Sequence, residues 1–216
     1  MAYFLISFIW WLFLSSAIVS AGYHRYFAHR AFKANPWYEY LVLLLGPLSG
    51  SGPALGWVGV HRLHHNHSDT DKDPHSPKFV PKWKVLTSMF AVPSIPRKVV
   101  KDLLRNKRVV WFYKNHKRIR WASLVLFLIV FGYIWTFWLF FMPMVYGYIG
   151  YGLLNTYCHT KERVRNIWWV NILTGGEGWH ANHHDDPRNW KIGRRWYEID
   201  MGSWWIWLIK KIRRTE

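Results

Sequence analysis

The 216 residues are 51% hydrophobic and 19% aromatic, with 17 Trp, yet they carry 29 Lys and Arg against 12 Asp and Glu, a net charge of +17. That length allows one domain, residues 1–216, and so much apolar surface exceeds what a soluble chain of this size hides in one core. No nucleic-acid module accompanies the basic charge, so anionic lipid or an acidic protein is the expected partner and nucleic acid is not.

The first expected element is a transmembrane helix over residues 2–21, an apolar run of the length that crosses a bilayer. No basic residue precedes it, which argues against a cleaved secretory signal. His24 and His29 follow, where the helix is expected to fray; five apart, they share no face of an α-helix. Residues 37–60 are apolar enough to span but contain GPLSGSGPALG, whose Gly and Pro break a helix. In HRLHH, His61, His64 and His65 stand at i, i+3 and i+4 and face one way. Val99–Tyr113 alternates basic and apolar residues and is expected as an amphipathic, interfacial helix.

A second span is expected over residues 121–141, with a tight turn at Pro143 and Gly147 and a returning span over 144–159. Arg118 and Arg120 at one end, and Lys161, Arg163 and Arg165 at the other, place both ends in the cytosol. His159 stands four residues after Asn155, and His180, His183 and His184 (HANHH) repeat the one-faced spacing. Residues 203–212, rich in Trp with Lys at the end, are expected as an interfacial helix. With one cysteine, Cys158, no intrachain disulfide forms.

Neutral imidazole is a good ligand for iron, zinc and copper. A structural zinc site closes with four ligands, so the histidines of these boxes point to two metals, and histidine ligation of iron with an open position suits O2 chemistry. Asn155 is placed to reach the metal of His159 directly or through water. Asp69, Asp71, Asp73, Glu177, Asp185 and Asp186 crowd the boxes. Each either accepts the second N–H of a ligating imidazole or caps a helix and solvates a loop. His67, His75 and His116 read as solvated or core histidines, the first two close enough to support a ligand. If residues 37–60 crossed fully, the boxes on either side would lie about 30 Å apart, whereas ligand bonds are about 2 Å long. That segment is therefore expected to dip in and return, leaving three crossings.

Four stretches, GYHRYFAHRAFKA (22–34), WVGVHRLHHNHSDTDKDPHS (57–76), NTYCH (155–159) and GEGWHANHH (176–184), resemble in sequence and order the membrane delta-9 (stearoyl-type) fatty acyl desaturases. The resemblance implies an all-α integral membrane protein, a transmembrane bundle under a cytosolic cap with a bent acyl tunnel. It implies a di-iron centre held by His24, His29, His61, His64, His65, His159, His180, His183 and His184, with Asn155 in contact through water; zinc is a possible substitute in a recombinant preparation. The implied reaction is O2-dependent formation of a cis double bond, at delta-9, in a saturated acyl chain of acyl-CoA or acyl-lipid. Electrons would come from an acidic donor of ferredoxin or cytochrome b5 type. Two departures stand out. Family members usually have a further helix before the first box, so the N-terminus here is expected away from the cytosol. The Arg-Asp pair of acyl-CoA-using animal enzymes is replaced by Gly59–Val60, which turns the expectation toward lipid-bound substrates. The competing readings are a membrane di-iron hydroxylase or ketolase, and a non-catalytic metal-binding homologue.

Overall fold

The structure is a computed structural model that describes residues 1–160 and 163–213, with side chains as far as Lys210. Lys161, counted above among the cytosolic charges, lies outside the described residues, as do the side chains of Lys211 and Ile212. Among the described residues the chain is helical without a β-strand; His159 and Val164 form one isolated bridge.

The axis of the fold is α1 (Ala2–Ala28). Ala2–Phe13 is α-helical, and Leu14–Ala28 winds wider, as a π-helix whose N–H groups bond five residues back. Small residues dominate the wide part, so neighbours approach closely, and Leu14, Ile18, Ala21 and Tyr23 are fully buried. Its serines satisfy carbonyls in the packed interior: Ser16 Oγ donates to Leu12 (2.6 Å) and Ser15 Oγ to Thr174 (2.7 Å).

α2 (Pro36–Leu45) starts where the Asn35 side chain accepts the Tyr38 N–H, with Pro36 in the first turn. It tightens through Gly46–Ser49 and breaks at Gly50, where φ is +81°. α3 (Ala54–His67) leaves at 80° to the preceding stretch. The elbow rests on α1, with Tyr23 donating to the Gly52 carbonyl at 3.0 Å.

After the short α4 (Lys82–Leu86) and α5 (Lys101–Arg105) come α6 (Lys107–Thr136), a wide turn over Phe137–Phe141, and α7 (Met142–Tyr157). The amphipathic stretch expected over Val99–Tyr113 is divided at Asn106, whose side chain caps α6 by accepting from the Arg108 and Val109 N–H groups. The tight turn expected at Pro143 and Gly147 lies elsewhere. Gly132 has non-helical dihedrals (φ 69°, ψ 176°), and the rings of Phe127 and Phe140 stand 5.6 Å apart. Thirteen residues of straight helix would separate them by about 20 Å, so the chain reverses at Gly132. Pro143 sits in the first turn of α7, where a missing N–H is harmless.

Two helical stretches, Ala2–Ala28 and Lys107–Tyr157, are long and apolar enough to cross a membrane. In their most apolar windows 56% of the first is buried but 11% of the second, so α1 lies inside and the most apolar part of the α6–α7 hairpin faces outward, while α7 packs inward through Gly147, Gly150 and Gly152. Val125, Leu126, Ile129, Val130 and Tyr133 form an exposed apolar belt suited to hydrocarbon. α8 (Trp168–Thr174), α9 (His180–Asp185) and α10 (Met201–Arg213) gather at the histidine end. α10 buries Ile206 and exposes Trp204 and Trp207.

Candidate metal centre

Each group of histidines is delivered by a different element, and the groups converge. α1 brings His24 and, at its end, His29; the reading that residues five apart share no face is corrected by the π winding. The His29 N–H bonds the His24 carbonyl at 3.0 Å, so the two stand about one turn apart, with ring centroids separated by 4.9 Å. α3 presents His61, His64 and His65, α9 presents His180, His183 and His184, and His159 follows the end of α7.

All nine fall into two neighbouring clusters. His24, His29, His61, His65 and His183 form one, and His64, His159, His180 and His184 the other, their ligand nitrogens within 4.8 Å of one another in each. His65 and His184 stack across the boundary at 4.5 Å. In the first cluster the Nε2 atoms of His24 and His183, His183 and His65, and His29 and His61 are 2.9, 2.9 and 2.8 Å apart. In the second, His159 and His180 approach to 2.9 Å, His180 and His184 to 3.2 Å, and His64 and His184 to 3.4 Å.

Shared protons do not account for this arrangement. A ring nitrogen offers one N–H or one lone pair, yet His183 Nε2 meets two others and His180 Nε2 meets two others. A central cation does account for it. Metal–imidazole bonds of about 2.0–2.1 Å put neighbouring donors about 2.9–3.4 Å apart, from octahedral to tetrahedral geometry. The donor set therefore fits two metal ions, and an all-imidazole set suits iron, zinc or copper. Burial, followed by the neighbouring rings, pushes His180 and His183 well below the ordinary histidine range and His184 to about 3, so these rings are neutral, as ligands must be.

Three of the six nearby carboxylates lie against the far side of a cluster ring, and Asp73 is hydrogen-bonded there. Asp73 Oδ2 lies 2.8 Å from His64 Nδ1, Glu177 Oε2 lies 2.6 Å from His24 Nδ1, and Asp69 Oδ1 lies 3.3 Å from His159 Nδ1. Burial raises Asp69, but the contact with His159 and the charge of Lys78 outweigh it and hold the carboxyl at about 2. Asp71 and Asp186 are exposed, and Asp185 pairs with Arg194 on the surface. His75, read as a solvated or core residue, is buried and stacks on His64 at 4.5 Å. His116 is half-buried on α6, its Nδ1 2.7 Å from the Tyr113 carbonyl oxygen.

Sequence reasoning missed Arg25. It is fully buried, grips Asp200 through both Nη atoms (3.0 and 2.8 Å), and reaches Glu177 at 3.3 Å. Only its place inside the first box hinted at this, because an arginine beside a histidine reads equally well as a surface charge.

A largely apolar cavity of about 370 Å³ opens onto histidines of both clusters, His24 and His61 of one, His64 and His180 of the other. Gly50, Trp57, Gly147, Tyr151 and Phe90 are among its walls, and Asn155 and His75 are polar groups within it. That volume is in the range of small-molecule sites, about 300–1,000 Å³.

Comparison with known proteins agrees with the site. The fatty acid desaturase family profile matches residues 2–207. The chain is 33% identical over 96% of its length to a sn-2 palmitoyl-lipid 9-desaturase of Nostoc, covering 78% of that protein. It is 34% identical over 94% of its length to Delta-9 acyl-lipid desaturase 2 of Arabidopsis thaliana, covering 72% of that protein. It is 34% identical over 85% of its length to a sn-1 stearoyl-lipid 9-desaturase of Anabaena variabilis, covering 71% of that protein. With the boxes convergent and the match spanning nearly the whole chain, this protein belongs to the fatty acid desaturase family.

Proposed function

We propose that this protein introduces a cis double bond, at delta-9, into a saturated acyl chain carried on a lipid, using O2 and two iron ions. The observation that carries the reading is the apolar cavity ending against imidazoles of both clusters. His24, His29, His61, His65 and His183 would hold one iron, and His64, His159, His180 and His184 the other. Bound iron supplies the oxidising power to remove hydrogen from unactivated CH2 groups, which no side-chain acid or base can do.

The chain's own residues do the rest. Asp73, Glu177 and Asp69 orient ligand rings through their second nitrogens. Asn155, in the cavity wall, is placed to meet the second centre through water. The walls from Gly50 to Tyr151 fix which carbons of an acyl chain lie beside the histidines, and that placement sets the double-bond position. A lipid-bound substrate is favoured over acyl-CoA by Gly59–Val60 before the second box and by the acyl-lipid names of the relatives. We read three membrane crossings, α1, α6 and α7, with α2–α3 entering and turning back, and the histidine end in the cytosol.

Expression in a host lacking its own delta-9 desaturase, with double-bond mapping of the lipids by mass spectrometry, tests the reading. The expected product has lost one hydrogen from each of the ninth and tenth carbons; a gain of oxygen would replace the reading by a hydroxylase, and no product with full iron by a non-catalytic homologue. His64→Ala should abolish the product and lower the iron content, and zinc-loaded protein should be inactive.

A further inference from the structure

Three walls of the apolar cavity are helix: Val19 on α1, Trp57 and Val60 on α3, and Gly147 to Asn155 on α7. The fourth is not. Ser88, Phe90 and Val92 belong to residues 87–98, a strap between α4 and α5 with neither helix nor strand. Both ends of the strap are pinned. A Cβ added at Gly152 would collide with the Leu86 carbonyl oxygen, so the end of α4 lies directly on α7. At the other end the Val99 carbonyl accepts from Arg62 Nη1 at 2.8 Å. Between these points, among the described residues, 90–95 make no hydrogen bond to the helices around them. Two side chains hold the strap down instead. The Phe90 and His75 ring centroids stand 5.3 Å apart, and Ile95 fills the hollow over Gly59 on α3. A Cβ at Gly59 would stand 2.5 Å from Ile95 Cδ1, so even alanine would strike it.

A chain carried on a lipid has to reach the histidines without crossing water, and the carbons that react lie mid-chain, so a long stretch must pass into the cavity. Displacing a helical wall would break backbone hydrogen bonds and close packing. Displacing the strap breaks two side-chain contacts. Its outer side is apolar as well, with Trp83 on the adjoining α4 and Met89 and Val92 in the strap itself exposed. Pro93 and Pro96 flank Ile95 and stiffen the segment that carries it. Resting on the desaturase reading, we propose that residues 87–98 are the gate through which the acyl chain enters the apolar cavity, with Ile95 seated on Gly59 as its latch. The closed gate sets Phe90 against His75, and His75 stacks on His64, so the wall nearest the centre is complete only with the strap down.

The latch can be locked. Ile95 Cγ2 and Cγ1 lie 2.9 and 3.2 Å from the Cβ position of Gly59, and the Ile95 Cβ, one bond beyond, falls near the about 3.5–4.5 Å that a disulfide spans between Cβ atoms. Gly59→Cys/Ile95→Cys in the iron-loaded full chain therefore holds the gate shut when oxidised and frees it when reduced; the native Cys158 is fully buried and does not compete. The probe is a phosphatidylglycerol whose stearoyl chain carries a mid-chain diazirine, with photoadducts on Trp57 and Tyr151 mapped by mass spectrometry. Expected is about tenfold less labelling of these residues in the oxidised protein than in the reduced one, with product formation falling and returning in step. In Ile95→Ala, which removes the latch without a cross-link, labelling should reach its plateau about threefold sooner than in wild type. Equal labelling of the oxidised and reduced forms, with the cross-link confirmed by mass spectrometry, would overturn the gate. So would labelling that reduction does not restore, because the substitutions and not the lock would then be blocking the cavity. An Ile95→Ala time course no faster than that of the wild type would overturn the latch, and this variant alone decides if the double variant does not fold. If the lock controls entry of the lipid but no form of the protein yields product, the gate stands and the desaturase reading fails.

Discussion

A histidine that ligates through Nε2 leaves Nδ1 over, and here Asp73 is hydrogen-bonded to that atom of His64 while Glu177 lies in close contact with it on His24. Asp73 against His64 and Glu177 against His24 are both nearly inaccessible to water. Arg62 lies between His61 and His64 in sequence and fixes how α3 meets the end of α1. It donates to the carbonyls of Phe27 and Ala28 (2.7 and 3.0 Å), closing the end of α1, and to both oxygens of Asp102. Burial would raise Asp102, but Arg62 and Arg30 outweigh it and hold the carboxyl below the usual range. A depressed carboxyl stabilises the fold above its unfolded pKa and loses that contribution as pH falls. Asp102→Asn should therefore lower stability at neutral pH by about 1–2 kcal/mol. Thermal unfolding in detergent should show the gap constant above pH 5 and closing below about pH 4. A gap that widens in acid would show that Asp102 is not the charged partner.

At the scale of elements, the HxxHH boxes were legible because i, i+3 and i+4 spacing has one meaning on an α-helix, and α3 and α9 carry it without distortion. The first box was not. Its spacing of five makes sense only on a π-helix, and nothing in LSSAIVSAGYHRYFA separates that winding from an ordinary apolar span. The hairpin was legible as two apolar runs, but its reversal was misplaced. A proline looks like the stronger turn signal, yet Pro143 fits the first turn of a helix, and Gly132 alone supplies the positive φ. The glycines also differ in what they protect. A Cβ added at Gly132 meets nothing within 4 Å, so Gly132→Ala carries only backbone strain, about 1–3 kcal/mol. A Cβ at Gly147 would collide with the Ser49 carbonyl oxygen at the elbow between α2 and α3. Gly147→Ala should cost about 1–3 kcal/mol by overpacking and also reduce turnover, because Gly147 and Gly50 both line the apolar cavity. A Gly147→Ala protein with the melting temperature and product yield of the wild type would count against a close-packed elbow.

Over the whole molecule, one buried joint ties the two ends of the chain to the centre. Arg25, on α1 beside His24, bonds Asp200, and Asp200 in turn accepts the Ile192 and Ser203 N–H groups and so sets the start of α10. From the same arginine the contact continues through Glu177 to His24. The helix that exposes Trp204 and Trp207 is thus linked by three side chains to His24 of the five-histidine cluster. Removing one partner of a buried ion pair leaves the other charge unpaired and typically costs about 3–5 kcal/mol. Lysine cannot replace the two-pronged grip of arginine. In Asp200→Asn, amide hydrogen exchange over residues 201–210 should accelerate. The iron content should fall at the same time, because Arg25 is freed to turn fully onto Glu177 and draws that carboxylate away from His24. Iron content and exchange rate should move together across Asp200→Asn and Arg25→Lys. A variant whose α10 loosens while iron stays complete would show that the joint braces the C-terminal helix without reaching the metal centre.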